Sequence, residues 1–134
     1  MFEEPIIQSR GFVNVGEPGA RTGFQLQMRT PYYRGVWLSL VEGAEVTVDG
    51  ERHTRDEISW TIQGQTCANS ELGDQHDRRW PYEEPAILTV TRPGGLEPGR
   101  HALEVAVNYR MSYIPIEMQP TTSIARRSLT MVQS

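Results

Sequence analysis

The feature that most constrains the fold is a two-residue alternation of apolar and polar side chains, repeated along the chain in short runs. Phe24–Arg29 shows the pattern, and Ala102–Tyr109 shows it over the longest stretch, with Leu103, Val105 and Val107 on one side. Alternation with this period places successive side chains on opposite faces of a β-strand. Each run is therefore predicted to be a strand with one face in the core.

Turn signals separate these runs at intervals of about ten residues, which is typical of β-sandwiches. Asp49-Gly50 suits a type I′ hairpin, because both central residues of that turn need positive φ. Further strands are predicted at Val36–Val41, Glu45–Val48, Ile58–Ile62 and Ala86–Val90. No helical period is long enough to cross over a parallel sheet, so we predict an all-β fold, an antiparallel β-sandwich of two packed sheets.

The 134 residues are the size of one domain, and no linker or repeat divides them. We predict a single β-sandwich domain over 1–134, with 121–134 as a loose C-terminal tail. Between Gln63 and Glu84 the periodicity disappears, and a long excursion with one helical turn near Ser70–Leu72 is predicted. Excursions of this length inside compact domains are usually functional or ordered by a partner.

Charge and composition narrow the class of partner and the compartment. The formal charge of -4 and the pI near 5.4 argue against a nucleic-acid partner, which would need a basic face. No apolar run is long enough to span a membrane, and the N-terminus lacks the pattern of a secretion signal. A single cysteine, Cys67, cannot form an internal disulfide. We expect a cytoplasmic protein that binds neither nucleic acid nor membranes.

Few residues suggest catalysis. Asp74, His76 and Asp77 could bind a divalent ion, but a solvated loop explains them more simply. Cys67 would need a nearby base and a positive environment to act as a nucleophile, and a structural cysteine is the simpler interpretation. The sequence contains no nucleophile elbow, phosphate-binding loop or zinc-protease motif. We assign no catalytic residue and no metal ligand.

Two segments rich in aromatic residues, methionine and arginine indicate a contact surface instead. They are Thr30–Trp37 and Tyr109–Pro120, and their residue types are those enriched at the centres of protein interfaces. Trp37 and Tyr109 could equally be core residues. Proline cannot donate to a sheet, so the second segment is expected at an edge or away from the domain. The predicted interface or pocket-rim residues are Tyr32, Tyr33, Arg34, Trp37, Tyr113, Pro115 and Met118.

The same residues carry a resemblance to a known family. Tyr32–Gly43, Val46–Glu51, Arg79–Pro81 and Tyr113–Pro120 resemble the small β subunit of bacterial C-glycoside deglycosidases. The resemblance extends from Met1 to about Pro120. The combination of segments is specific, although none of them is a catalytic signature.

The resemblance implies a non-catalytic β-sandwich that pairs with a larger α subunit of the sugar-phosphate-isomerase-like barrel type. That partner would carry a divalent metal, usually Mn²⁺, and the acid–base residues, so no cofactor is expected in this chain. The complex would cleave the carbon–carbon bond between a 3-oxo-glucosyl group and a flavonoid-type aglycone by elimination, as a lyase does. The β subunit would stabilise or shape the mouth of the barrel's active site.

Two other functions remain open from the sequence. A stand-alone carbohydrate- or aglycone-binding module would stack exposed Tyr32, Tyr33 and Trp80 against a sugar ring. A small metal-dependent enzyme would use Asp74 and His76 together with Asp77. The subunit interpretation predicts hydrophobic surface that is left uncovered when the chain is alone.

Overall fold

The structure is a computed structural model that describes residues 6–30, 36–75, 77–81, 83–109 and 121–132, with only the backbone at 36, 55, 109 and 121. Its strands form two main antiparallel sheets, in the orders β1-β2-β9-β6-β7 and β11-β10-β4-β5, and a short ribbon of β3 and β8. The strands are β1 Val13–Glu17, β2 Ala20–Met28, β3 Val36–Trp37, β4 Val41–Val48, β5 Glu51–His53, β6 Ile58–Ile62, β7 Gln65–Ala68, β8 Arg79–Trp80, β9 Ala86–Thr91, β10 Gly99–Tyr109 and β11 Thr121–Met131. The predicted all-β antiparallel sandwich is confirmed.

The core lies between the two main sheets and contains the alternating residues that the sequence pattern selects. In β2 the buried residues are Phe24, Leu26 and Met28, and β6, β9 and β10 contribute in the same alternating way. Burial of these side chains removes apolar surface from water, which is the main stabilising term of such a fold. Alternation therefore fixes which face of each strand is buried.

The Asp49-Gly50 hairpin joins β4 to β5, as predicted. Asp49 has φ of 51° and Gly50 has φ of 88°, the two positive values that a type I′ turn requires. The predicted strand Val36–Val41 differs from the structure. It is interrupted by a 3₁₀ turn at Leu38–Leu40 that buries Leu38, so β3 and β4 are separate strands in different sheets.

The predicted excursion from Gln63 to Glu84 contains more structure than expected. The helical turn is confirmed, as a 3₁₀ helix over Asn69–Asp74 in which the Glu71 carboxylate accepts the Ala68 N–H at 2.7 Å. The segment also contains β7, which extends the five-stranded sheet, and β8. Among the described residues, no helix is long and apolar enough to cross a membrane.

The segment predicted as a loose tail is instead β11, and that prediction is corrected. β11 pairs with β10 over its full length, from Thr121 opposite Tyr109 to Met131 opposite Gly99. Its inward positions include the buried Leu129 and Met131. The Arg127 guanidinium also donates to the Ile7 carbonyl at 2.8 Å and so links β11 to the N-terminal segment, which bridges to Met28 of β2.

Candidate functional site

The ribbon of β3 and β8 presents an exposed aromatic platform. Trp37 lies opposite Arg79 in the ribbon, and the Arg79 guanidinium carbon lies 4.9 Å from the centre of the Trp37 ring. This is a cation–π contact. Trp37 is 44% exposed, so the alternative that it is a core residue is not supported. An exposed tryptophan held by an arginine is the kind of group that anchors a protein interface.

Trp80, the neighbour of Arg79, is fully buried beneath the platform. Its ring packs edge-on against Trp60, with ring centres 5.2 Å apart. Adjacent residues of a strand point to opposite faces, so exposure of Arg79 requires burial of Trp80. The sugar-stacking interpretation used an exposed Trp80, and on this point it is wrong.

Asn69 fixes the base of the platform and joins the two main sheets. Its side-chain oxygen accepts the Trp60 indole N–H at 2.8 Å and the Ala44 N–H at 3.2 Å, while its amide nitrogen donates to the Ala44 carbonyl at 2.8 Å. Asn69 is 2% exposed. A buried amide must be hydrogen-bonded to be tolerated, and this one is bonded to both β4 and β6.

Arg78 attaches β8 to the end of the five-stranded sheet. One of its terminal nitrogens donates to the Ile62 carbonyl at 2.9 Å and to the Gln65 carbonyl at 3.1 Å, on either side of the β6–β7 turn. The Arg78 carbonyl in turn accepts the Leu38 N–H at 2.8 Å. The exposed platform is therefore continuous with that end of the sheet.

Most of the predicted interface residues fall outside the part of the chain that the structure describes. Tyr32, Tyr33, Arg34, Tyr113, Pro115 and Met118 lie outside the described residues, and Trp37 is the member of the predicted set that the structure describes. The chain leaves the described part at Thr30 and re-enters it at Val36, next to Trp37. Sequence reasoning assigned no role to Arg79 or Asn69, although Arg79 belongs to one of the segments that carry the family resemblance.

The opposite end of the sandwich is charged. His101 Nδ1 lies 2.6 Å from the Asp49 carboxylate and its Nε2 lies 2.7 Å from the Glu97 carbonyl. Partial burial alone would lower the pKa of His101, but the bonds to the Glu97 carbonyl and to Asp49 raise it above the ordinary value. The Ala102 N–H and His101 hold the pKa of Asp49 below its ordinary value. His101 and Asp49 form an ion pair within the fold when His101 is protonated.

His53 also lies within a set of carboxylates. It is 3% exposed, with Nε2 at 3.0 Å from a Glu51 oxygen and Nδ1 at 3.4 Å from a Glu57 oxygen. Glu51 is bonded to Arg92 at 2.8 Å, and this bond lowers the pKa of the carboxyl. The described histidines are thus engaged by the chain itself, in arrangements that stabilise the hairpin.

Neither the cysteine nor the acidic loop forms a reactive centre with its described neighbours. Cys67 is buried, and burial raises the pKa of its thiol, which disfavours the nucleophilic thiolate. Asp74 ends the 3₁₀ helix and Asp77 follows in the loop, while His76 lies outside the described residues. Within the described ranges, no three histidine, cysteine or acidic side chains are close enough to hold a metal ion.

Comparison with known proteins identifies the family. Residues 2–113 match the family of C-glycoside deglycosidase beta subunits. The chain is 40% identical over 85% of its length to a C-glycoside deglycosidase beta subunit of Eubacterium cellulosolvens, covering 78% of that protein.

More distant relatives agree. The chain is 27% identical, over 70% of its length and 72% of the relative, to a C-glycoside deglycosidase beta subunit of Arthrobacter globiformis. It is 29% identical, over 90% of its length and 86% of the relative, to the 3′-dehydrocarminate deglycosidase beta subunit of a Microbacterium species. The chain belongs to the C-glycoside deglycosidase beta subunit family, which the resemblance in its sequence predicted.

Proposed function

We propose that this chain is the non-catalytic β subunit of a complex that cleaves the carbon–carbon bond of 3-oxo-C-glucosides. Its companion is a larger, barrel-type α subunit that carries a divalent metal, Mn²⁺, and the acid–base residues. The substrates are C-glucosides of flavonoid-type aglycones. The name of the Microbacterium relative, which includes a 3′-dehydro compound, supports the oxidised state of the sugar.

The observation that carries the proposal is the exposed Trp37–Arg79 platform. His53 is buried, and the two ring nitrogens of His101 contact Asp49 and the Glu97 carbonyl, so neither histidine presents an open ring nitrogen to a substrate. Trp37 is a large aromatic residue that is 44% exposed. Covering such a residue with a partner contributes strongly to association.

The reaction is an elimination whose atoms balance without an added oxidant or reductant. The ketone at position 3 acidifies the neighbouring carbon, and a base of the α subunit removes the proton from it. A carbon–carbon double bond forms in the sugar, the bond to the aglycone breaks, and the aromatic carbon receives a proton. The electron-rich phenol ring makes this leaving group feasible. The β subunit supports the mouth of the active site.

The test is co-expression of this chain with the α subunit encoded with it, followed by size-exclusion chromatography and an assay with a 3-oxo-C-glucoside and Mn²⁺. Each subunit is also assayed alone. We expect a stable mixed complex that releases aglycone, and no release by this chain alone. Aglycone release by the isolated chain, or failure of the two subunits to associate, would contradict the proposal.

A further inference from the structure

The outer face of the five-stranded sheet carries no charged side chain over two complete rows of described residues. One row crosses all five strands and the other crosses four, as the strand register shows. We call these nine residues the uncharged face: Val13, Gln25, Thr89, Ser59 and Ala68 in the first row, and Gln27, Ile87, Thr61 and Thr66 in the second. Charged residues make up 22% of the chain, and their absence from two adjacent rows of outward positions is unusual for surface that remains in water.

Four of the six polar side chains on the uncharged face are paired across strands. The Gln25 amide donates to the Thr89 hydroxyl at 3.1 Å, and the Thr61 and Thr66 hydroxyls are 2.7 Å apart. Covering a polar group costs free energy mainly when it loses its hydrogen bonds to water without replacement. These pairs keep their partners when water is removed, so the face can be covered at low cost.

Apolar side chains on the same face are only partly covered by the chain. Val13 is 44% exposed at the β1 edge, and Ile87 is half-buried near the centre of the sheet. A surface of uncharged polar groups with interspersed apolar residues shares with interface centres the depletion of charged residues.

From these observations we propose that the uncharged face is the docking surface for the companion α subunit. The inference rests on the proposed function, because that function supplies the partner. The inference adds to the proposed function by naming the surface that binds the α subunit and the chemistry of that surface. The α subunit should present an uncharged surface in return, since a charged group facing this sheet would be buried without a counter-charge.

The size of the face favours a larger companion over a second copy of this chain. Five strands span about 24 Å and the paired segments about 17 Å, which gives about 400 Å². A stable interface needs about 800 Å² per partner. Two copies of this chain stacked face to face would bury only about half of that area on each copy. A larger companion can continue past the β6–β7 turn, where Arg78 binds, to the Trp37–Arg79 platform.

The test introduces one positive charge on each outer face of the sandwich. Thr89→Arg places it on the uncharged face, and the matched control Thr47→Arg places it on the outer face of the four-stranded sheet. Both threonines are half-buried, outward-facing residues of central strands. The measurement is the Kd for the purified α subunit by titration calorimetry, and thermal unfolding of each variant alone verifies the fold. If Thr89→Arg does not fold, Thr66→Arg at an exposed position of the same face replaces it.

We expect Thr89→Arg to raise Kd at least about 30-fold, because a guanidinium would be buried without a partner, and Thr47→Arg to change it less than about threefold. Wild-type affinity of a folded Thr89→Arg or Thr66→Arg variant would overturn the surface assignment and leave the proposed function intact. If the wild-type chain forms no complex with the α subunit, the proposed function is overturned, and so is the assignment of the α subunit to the uncharged face. Dimerisation of the chain alone, abolished by Thr89→Arg with α binding unchanged, would assign the face to a second copy.

Discussion

The outer faces of the two sheets differ in where they place charge. On the four-stranded sheet, Arg126 pairs with Glu104 at 2.6 Å and Arg52 pairs with Glu45 at 2.5 Å. On the five-stranded sheet, Gln25 pairs with Thr89 and Thr61 pairs with Thr66, and both pairs are neutral. Both faces belong to sheets that fill the same core, so packing does not account for the difference. The charged face is suited to water, and the uncharged face is suited to a partner.

Loss of the Asn69 side chain should produce the largest change in stability, because it joins the two sheets whose faces differ. Asn69→Ala leaves the Trp60 N–H and both polar groups of Ala44 buried without this partner. We expect the free energy of unfolding to fall by about 3 kcal/mol, measured by denaturant titration. The control Ser70→Ala changes an exposed neighbour. A loss below about 1 kcal/mol for Asn69→Ala would mean that the sheets do not depend on this contact.

Gly23→Ala should cause the second-largest loss of stability, because Gly23 lies where β2 pairs with β9 in the five-stranded sheet. A Cβ at Gly23 would lie 2.0 Å from the Val90 carbonyl oxygen, so the two strands would have to separate. We expect a loss of about 2 kcal/mol in unfolding free energy. Gly73→Ala is the matched control, since its Cβ would meet nothing within 4 Å. Equal stability of the two variants in thermal unfolding would show that β2 and β9 are not this close.

His101→Gln tests the charged end and should have a smaller, pH-dependent effect of about 1 kcal/mol. The raised pKa of His101 means that its contribution is complete below the ordinary histidine pKa and is lost as pH rises through the folded value. The lowered pKa of Asp49 means that its contribution is lost as pH falls below the carboxyl range.

The difference in unfolding free energy between wild type and His101→Gln should therefore be largest between about pH 4 and 6.5 and should decline towards pH 9. Denaturant titrations across this range measure it. A difference that grows with pH would show that His101 is not held as the cation by Asp49.

Arg126→Gln should have the smallest effect. The Arg126 side chain is 72% exposed, and surface ion pairs of this kind contribute little because water and salt screen them. We expect a change of at most about 0.5 kcal/mol in unfolding free energy and no change in binding to the α subunit. A clear loss of α binding would move the interface to the charged face.

Much of the fold follows from the sequence because the central strands bury one full stripe of apolar side chains. Edge strands lack that stripe. β11 presents Ser123, Ala125 and Arg127 inward, at the margin of the core, so its pattern resembles a tail. β7 buries only Cys67 along its length, so its sequence predicts part of a long excursion for the same reason.

The site was harder to predict, because exposure of an aromatic residue depends on contacts that are distant in sequence. Trp37 and Trp80 lie on the two paired strands of the short ribbon. Trp37 is exposed, whereas Trp80 is buried and packs on Trp60. No local pattern distinguishes them. The uncharged face could not be found from the sequence either, since its rows are assembled from five strands whose order is set by tertiary structure.

Hydroxyl-radical footprinting of the chain alone and in complex with the α subunit tests the central claim most directly. Val13 on the uncharged face and Ile124 on the charged face are matched probes, 44% and 51% exposed. We predict that Val13, Ile87 and Trp37 lose labelling in the complex while Ile124 keeps it. Protection of Ile124 with Val13 and Ile87 still labelled would contradict the account.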